Sequence, residues 1–166
     1  DQSTTWHKRF YRDDLNKFQT LYNTFIRNFI KYEFELDEII YQKIPTFRVH
    51  LKNNQAVGEW HRDRDYNHGT SEINIWLPFT DAYNTNTIWI ESEEDKKDFK
   101  PYNVSYGEVL VFNGANLLHG NKTNIEHDTR VSVDFRIVNP TEFIPSTKGS
   151  INTNTSFDVG GYFQKI

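Results

Sequence analysis

The chain contains no cysteine and no methionine among its 166 residues. Without cysteine it has neither a disulfide framework nor a thiolate metal site, so any bound metal must be held by His, Asp or Glu. The lack of cysteine also fits a reducing compartment, and we expect a cytoplasmic protein. Because methionine is missing altogether, we expect that this sequence has lost either its natural start or some other residues.

The chain also lacks long apolar runs and a strong excess of charge of either sign. No run approaches the roughly 20 residues that span a bilayer, and no charged-then-apolar leader opens the chain, so we expect no membrane partner. The formal net charge is -4, and the basic footprint of nucleic-acid binding is missing. We therefore expect a small-molecule substrate, and a homodimer stays open.

Aromatic residues are abundant instead, at 16% of the chain. This share predicts a core built heavily from Phe, Tyr and Trp. A length of 166 residues suffices for one compact domain with a real core and is too short to promise two. We predict a single domain over residues 1–166.

The apolar pattern changes its period along the chain. A three-and-four spacing predicts an amphipathic helix at about 13–41, and after Pro45 a period of two predicts strands. Helix first and strands afterwards favours a mainly β fold, an antiparallel sandwich or barrel with an N-terminal helical support. We place the barrel at about 45–138, with strands near 45–52, 72–80, 86–91, 107–113 and 130–138, and an irregular tail at 139–166.

Two of these strands carry polar residues on one face. In "RVSVDFRIV" the alternation puts Val131, Val133, Phe135 and Ile137 on one side, and the polar row consists of Arg130, Ser132, Asp134 and Arg136. This row either faces solvent or lines a polar pocket, and the alternation does not decide between them. Asn74 and Trp76 raise the same choice, since they would point into the barrel if the helix covers the apolar face.

The stretch "WHRDRDYNHG" supplies candidate metal ligands. His61 and Asp63 are two residues apart, so both project from one side of an extended backbone. His119, after the strand in "GEVLVFNGANLLHG", is the best third ligand, although His127 competes. Two imidazoles and a carboxylate on one triangular face are typical of non-haem Fe(II) oxygenases. The alternatives are an incidental surface ion pair with Arg62 or Arg64 and a histidine in a turn.

A carboxylate clamp is a second candidate site. Arg130 offers a planar fork to a carboxylate and Ser132 adds a hydroxyl on the same strand face. Alternatively, Arg130 pairs with Asp134. Arg136 could neutralise Asp134 or reach a bound molecule. We interpret His50 and His68 as bystanders.

In order and spacing, His61-x-Asp63, His119 and Arg130-x-Ser132 resemble the Fe(II)/2-oxoglutarate-dependent dioxygenase superfamily. Within it the layout is similar to the phytanoyl-CoA-hydroxylase-like branch. The segments "EINIWLPFTDAYNTNTIWIES" and "HGNKTN...RVSVDFRIV" resemble the small StrG-type oxygenases of antibiotic biosynthesis. The likeness covers about residues 45–138.

This resemblance implies a double-stranded β-helix, that is, a jelly-roll, cupin-like barrel. It implies His61, Asp63 and His119 as iron ligands and catalytic residues, with Arg130, Ser132, Asn74 and Trp76 around the cosubstrate. The implied cofactors are Fe(II), 2-oxoglutarate and O2. The implied activity is hydroxylation of an unactivated C–H bond in a sugar, aminocyclitol or amino acid, with release of succinate and CO2. Because Asp63 is present, halogenation is disfavoured.

The sequence is also compatible with two other functions. A non-catalytic jelly-roll domain could bind a metal or a carbohydrate, and the aromatic residues suit sugar stacking. A metal-dependent cupin enzyme without 2-oxoglutarate would make Arg130 dispensable.

Overall fold

The computed structural model describes residues 4–56, 59–150 and 154–166. Its N-terminal part is one helical segment with alternating α- and π-helical turns. The sections are α1 (Thr5–Arg9), a π-turn (Phe10–Asp14), α2 (Leu15–Phe25), a second π-turn (Ile26–Ile30) and α3 (Lys31–Glu33).

The helix begins and ends earlier than its apolar period predicts. At the start, Phe10 stacks on Phe47 with ring centroids 4.3 Å apart, so tertiary packing holds turns that lie before the periodic stretch. At the end, Glu35 adopts a positive φ of 51°, which an α-helix does not tolerate. Residues 40–42, predicted as helix, form a strand.

The strands form three antiparallel sheets. The strands are β1 (Ile40–Gln42), β2 (Thr46–His50), β3 (Ile73–Pro78), β4 (Ile88–Ile90), β5 (Lys100–Tyr102), β6 (Leu110–Phe112), β7 (His119–Gly120), β8 (Arg130–Val138), β9 (Ser146–Gly149), β10 (Ser156–Phe157) and β11 (Phe163–Lys165). The largest sheet has the order β11-β1-β8-β3-β6, with β2 also beside β8. In the second sheet, β4 lies between β5 and β7, and in the third, β9 and β10 pair with each other.

The prediction of a mainly β fold with an N-terminal helix is confirmed. Across the described ranges, the large sheet ends at β11 and β6 and the ladders do not close into a barrel. The finer prediction of a jelly roll is therefore not borne out by the strand pairing. The predicted barrel and tail also include residues 57–58 and 151–153, which lie outside the described residues.

The tail is more regular than predicted. β11 pairs with β1 at the edge of the large sheet, and Phe163 is fully buried. The three strands of the tail, β9, β10 and β11, are two to four residues long, which is too short for an alternation of apolar residues to reveal them. β5 was missed for the same reason, because it lies in the turn-rich stretch "EEDKKDFKPYN".

The helix covers one face of the large sheet. Tyr22, Ile26 and Ile30 pack there on apolar side chains of β3 and β8, including Ile75 and Phe135. The opposite face carries the polar row, which is buried: Arg130 is 1% exposed and Ser132 is 0% exposed. Beside it, Trp76 packs on Ile88 and Ile90 of the second sheet. The polar row thus lines an interior space between two sheets and not the solvent face.

Among the residues that the structure describes, no helix is both long enough and apolar enough to cross a membrane.

Candidate metal centre

An antiparallel bridge brings the two candidate histidines together. The His61 N–H donates to the His119 carbonyl at 3.0 Å, and the His119 N–H returns the bond at 3.1 Å. Asp63 then begins a 3-10 turn (Asp63–Tyr66), and its N–H donates to the Gly114 carbonyl at 2.9 Å. As a result, one ligand atom each from His61, Asp63 and His119 lies within 4.8 Å of the others.

Backbone carbonyls fix the orientation of both imidazoles. Nδ1 of His61 lies 3.0 Å from the Glu59 carbonyl, and Nδ1 of His119 lies 2.9 Å from the Leu117 carbonyl. Because a carbonyl only accepts, each Nδ1 donates to it, and Nε2 is the ring atom turned towards Asp63. The Nε2 atoms lie 3.6 Å and 3.9 Å from Oδ1 of Asp63. This is how metal-binding histidines are commonly held.

Asp63 is held from its other side. Its Oδ2 accepts from Asn74 Nδ2 at 2.7 Å and from Arg136 Nε and Nη2 at 2.9 and 2.8 Å. Burial by itself would raise the pKa of Asp63, but the charge of Arg136 together with the neighbouring histidines holds the pKa well below its usual range. Burial lowers the pKa of His119 to about 4. At neutral pH the carboxylate is ionised and this imidazole is neutral, the protonation states that metal ligation requires.

Arg130 is fully buried among neutral acceptors. It donates to the Asn86 carbonyl at 3.0 Å and to Ser132 Oγ at 2.6 Å, and it lies over the Trp76 ring with Cζ 5.2 Å from the centroid. Asp134 pairs with Arg48 instead, so the alternative Arg130–Asp134 pair does not form. Burial, reinforced by the charge of Arg48, lowers the pKa of Arg130 to about 9. Its three nitrogens thus lie against neutral groups of the fold.

Two spaces meet at the ligand cluster. A narrow, water-sized cavity of about 30 Å³ has Asn74, Trp76 and Arg130 in its wall. A wide cleft of about 910 Å³ opens beside it, and His61 and Asp63 line both spaces. The cleft walls are rich in hydroxyl and charged groups, including Tyr11, Lys43, Glu59, Tyr66, His68 and Tyr162.

The remaining charged candidates lie elsewhere. Arg62 points to Glu91, with Nη2 3.1 Å from Oε1, and Arg64 pairs with Glu94. His127 is exposed near Lys52, so it does not replace His119.

Sequence reasoning missed three contributors. His50 is fully buried, and its Nδ1 lies 3.4 Å from Arg130 Nη2. His68 lines the cleft with its Nδ1 2.7 Å from Glu72 Oε2. Arg136 pairs with Asp63, 73 residues away in sequence. Only the position of Arg136 on the polar face of β8 gave a signal.

No family model matches the sequence. The streptomycin biosynthesis protein StrG of Streptomyces griseus is 43% identical over 166 residues, which is 100% of this chain and 78% of StrG. Among solved structures, AviO1 from Streptomyces viridochromogenes Tue57 has a TM-score of 0.50 at 19% identity, over 69% of this chain and 57% of AviO1. The non-heme monooxygenase ThoJ, in its apo form, has a TM-score of 0.50 at 12% identity, over 70% of this chain and 55% of ThoJ. The chain thus spans about half of each solved structure, and at these identities the likeness concerns the fold.

These relatives correct the prediction from sequence. They are described as a streptomycin biosynthesis protein and a non-heme monooxygenase, not as 2-oxoglutarate-dependent dioxygenases. Against them the assignment to that superfamily is wrong, and so are the succinate-releasing hydroxylation and the cofactors Fe(II) and 2-oxoglutarate. The physical reason is that the spacing of HxD, a distal His and a later Arg predicts which side chains lie close together. It does not determine which cofactor or substrate those side chains bind.

The StrG match differs in kind from the structural ones, because it is a sequence identity of 43% that extends over every residue of this chain. A relationship of that strength identifies a family, and the chain belongs to the family of the streptomycin biosynthesis protein StrG.

Proposed function

We propose that the chain is a metal-binding oxygenase of the non-haem monooxygenase type that acts on a small polar molecule in antibiotic biosynthesis. The observation that carries the proposal is the cluster of His61, Asp63 and His119, whose ligand atoms lie within 4.8 Å of one another. The likeness to ThoJ, a non-heme monooxygenase, supports the oxygenase class, and the relationship to StrG, a streptomycin biosynthesis protein, supports the biosynthetic setting.

The donor set suits a divalent transition metal. Two imidazole Nε2 atoms and one carboxylate oxygen lie within 4.8 Å of one another, while the other heteroatom of each side chain is occupied by hydrogen bonds. A metal ion held by three protein ligands on one face keeps open positions for other molecules, and that is the chemistry it supplies when bound. Arg136 and Asn74 hold Asp63 so that Oδ1 faces the imidazoles.

The two spaces suggest how molecules are received. The wide cleft offers tyrosine hydroxyls with Lys43 and Glu59, a surface that suits a hydroxylated or aminated small molecule. In the wall of the narrow, water-sized cavity, the Arg130 guanidinium suits a small anionic group. Since His61 and Asp63 line both spaces, groups bound in either one would lie beside the metal ligands.

Metal titration of the full chain tests this function. We expect metal-free protein to bind one equivalent of Co(II) with visible d–d bands and Asp63→Ala to lose this binding, because only two ligands then remain. Asp65→Asn is the matched control, since Asp65 lies on the same turn, is exposed and is not one of the clustered ligands. Equal binding by the wild type and Asp63→Ala would remove the metal centre.

The oxygenase class needs a second assay. Wild-type protein loaded with a series of divalent metals is screened in an oxygen electrode against amino sugars, aminocyclitols and deoxysugars. Oxygen uptake that depends on one of these compounds and disappears in Asp63→Ala is the expected result. Metal binding without compound-dependent uptake across the screen would favour a binding domain.

A further inference from the structure

Arg62 lies between two candidate ligands in sequence but reaches away from them. Its backbone is extended, with φ -105° and ψ 141°, so its side chain and those of its neighbours project to opposite sides. Arg62 Nε donates to the Asn116 carbonyl at 2.8 Å, and Nη2 lies 3.1 Å from Glu91 Oε1 and 2.7 Å from Asp95 Oδ1. The two carboxylates that share this guanidinium differ in their surroundings.

Glu91 touches both segments that carry the ligands. Its side chain is fully buried, and Oε1 accepts from the Leu118 N–H at 2.6 Å as well as from Arg62. Its Oε2 accepts from the Lys97 N–H at 3.2 Å, and its own N–H donates to the Leu118 carbonyl at 3.1 Å. One oxygen atom therefore joins the residue after His61 to the residue before His119.

Asp95 binds the same guanidinium from the solvent side. Its side chain is 73% exposed, and it bonds to Arg62 and not to the segment of His119. An exposed ion pair of this kind contributes little, typically about 0–1 kcal/mol. A buried carboxylate with a charged partner is costly to disturb, because the remaining charge is left without compensation.

We infer that Glu91 is a positioning residue for the metal centre, where it fixes the distance between the His61–Asp63 segment and His119. The inference rests on the proposed metal centre. Ligand distances in a metal site must hold to about ±0.2 Å, and the backbone bridge at residue 61 is isolated, without a continuing ladder on either side. Glu91 adds a buried side-chain connection between the same two segments, beside the contact of Arg62 with the Asn116 carbonyl.

The test is Co(II) titration of Glu91→Gln beside Asp95→Asn. Glutamine keeps the volume and one acceptor but presents an N–H where a donor already points. We expect the Co(II) dissociation constant to rise by about tenfold or more, as for other groups that hold metal ligands, with shifted d–d bands in protein that is folded by circular dichroism. Asp95→Asn removes the other negative charge that binds Arg62, and its Co(II) dissociation constant should stay within about twofold of the wild-type value.

Several results would overturn the inference. One is a folded Glu91→Gln variant with wild-type affinity and d–d bands, even at a lower melting temperature, because a merely structural role would have that signature. Another is an equal loss in Asp95→Asn, which would point to the charge of Arg62 alone. If Glu91→Gln does not fold, Arg62→Gln breaks the same contact from its more exposed side, and unchanged affinity there contradicts the inference.

The controls also separate this inference from the proposed function. If wild-type protein does not bind Co(II), the metal centre itself fails. If wild-type protein binds one equivalent and Glu91→Gln matches it, only the role of Glu91 fails.

Discussion

At the residue scale, Gly114 is required by a close approach of Asn74. A Cβ on Gly114 would lie 2.6 to 2.8 Å from the amide atoms of Asn74, closer than such atoms normally come. Asn74 cannot easily give way, because its Nδ2 donates to Asp63 at 2.7 Å. The carbonyl of Gly114 also accepts from the Asp63 N–H, so this glycine supports Asp63 in two ways.

We predict that Gly114→Ala weakens Co(II) binding by about tenfold, since displacing a group that orients a ligand typically costs about 10–100-fold. Gly69→Ala is the control, because a Cβ there meets its nearest atom at an ordinary 3.4 Å. Titration of both variants decides the matter, and equal affinities would mean that Asn74 moves without consequence.

His50 gives a second prediction at this scale. Its Nε2 lies 2.8 Å from the Asn54 carbonyl, and burial, followed by the charge of Arg130, lowers its pKa from 6.5. With a lower pKa in the folded than in the unfolded state, the unfolded chain binds more protons below about pH 6.5. The free energy of unfolding of metal-free protein should therefore fall between pH 7.5 and 5.5. Urea unfolding should show a smaller fall in His50→Gln, and an identical fall would exclude His50 as a source.

The residues that sequence could identify share a local signature. The spacing of His61 and Asp63, and the place of His119 after a strand, are visible in a few letters, and the structure brings these three together. Arg136 and Glu91 act through partners 73 and 29 positions away. Their roles depend on the packing of two sheets, which no local pattern records.

At the scale of elements, strand β8 uses its alternation twice. Phe135 and Ile137 pack under the helix, while the alternating residues Asp134 and Arg136 face the interior space. The period of two predicted the two faces but not which one the helix would cover. The helical period likewise predicted α2, but its flanking turns depend on contacts such as Phe10 with Phe47.

The helix–sheet contact can be tested by paired substitutions. Ile26 is fully buried against the sheet, and we expect Ile26→Ala to lower the free energy of unfolding by about 2–5 kcal/mol. Leu21 on the same helix is 70% exposed, and Leu21→Ala should change stability by at most about 0.5 kcal/mol. Urea unfolding measures both, and similar losses would contradict the observed orientation of the helix.

At the scale of the whole molecule, the candidate centre joins parts of the chain that are far apart. His61 and His119 extend the second sheet, while Asn74 and Arg136 reach Asp63 from the large one. A ligand that binds only the folded chain stabilises it by about 2.7 kcal/mol at one hundred times its dissociation constant.

Co(II) should therefore raise the free energy of unfolding by about 1.4 kcal/mol for each tenfold increase above its dissociation constant. The same titration of Asp63→Ala should leave unfolding nearly unchanged, since its centre lacks the carboxylate. Denaturant unfolding at several Co(II) concentrations provides the measurement. A parallel rise in the variant would place the stabilising ion elsewhere.

The cleft walls and the side chains that hold Asp63 come from different kinds of segment. Asn74 on β3 and Arg136 on β8 bond to Asp63 within the fold. The cleft walls include Tyr11, Lys43 and Glu59, which are exposed and lie outside these strands. Selectivity can therefore diverge within the family by exchange of wall residues alone, and an engineer could retarget the cleft while leaving β3 and β8 untouched.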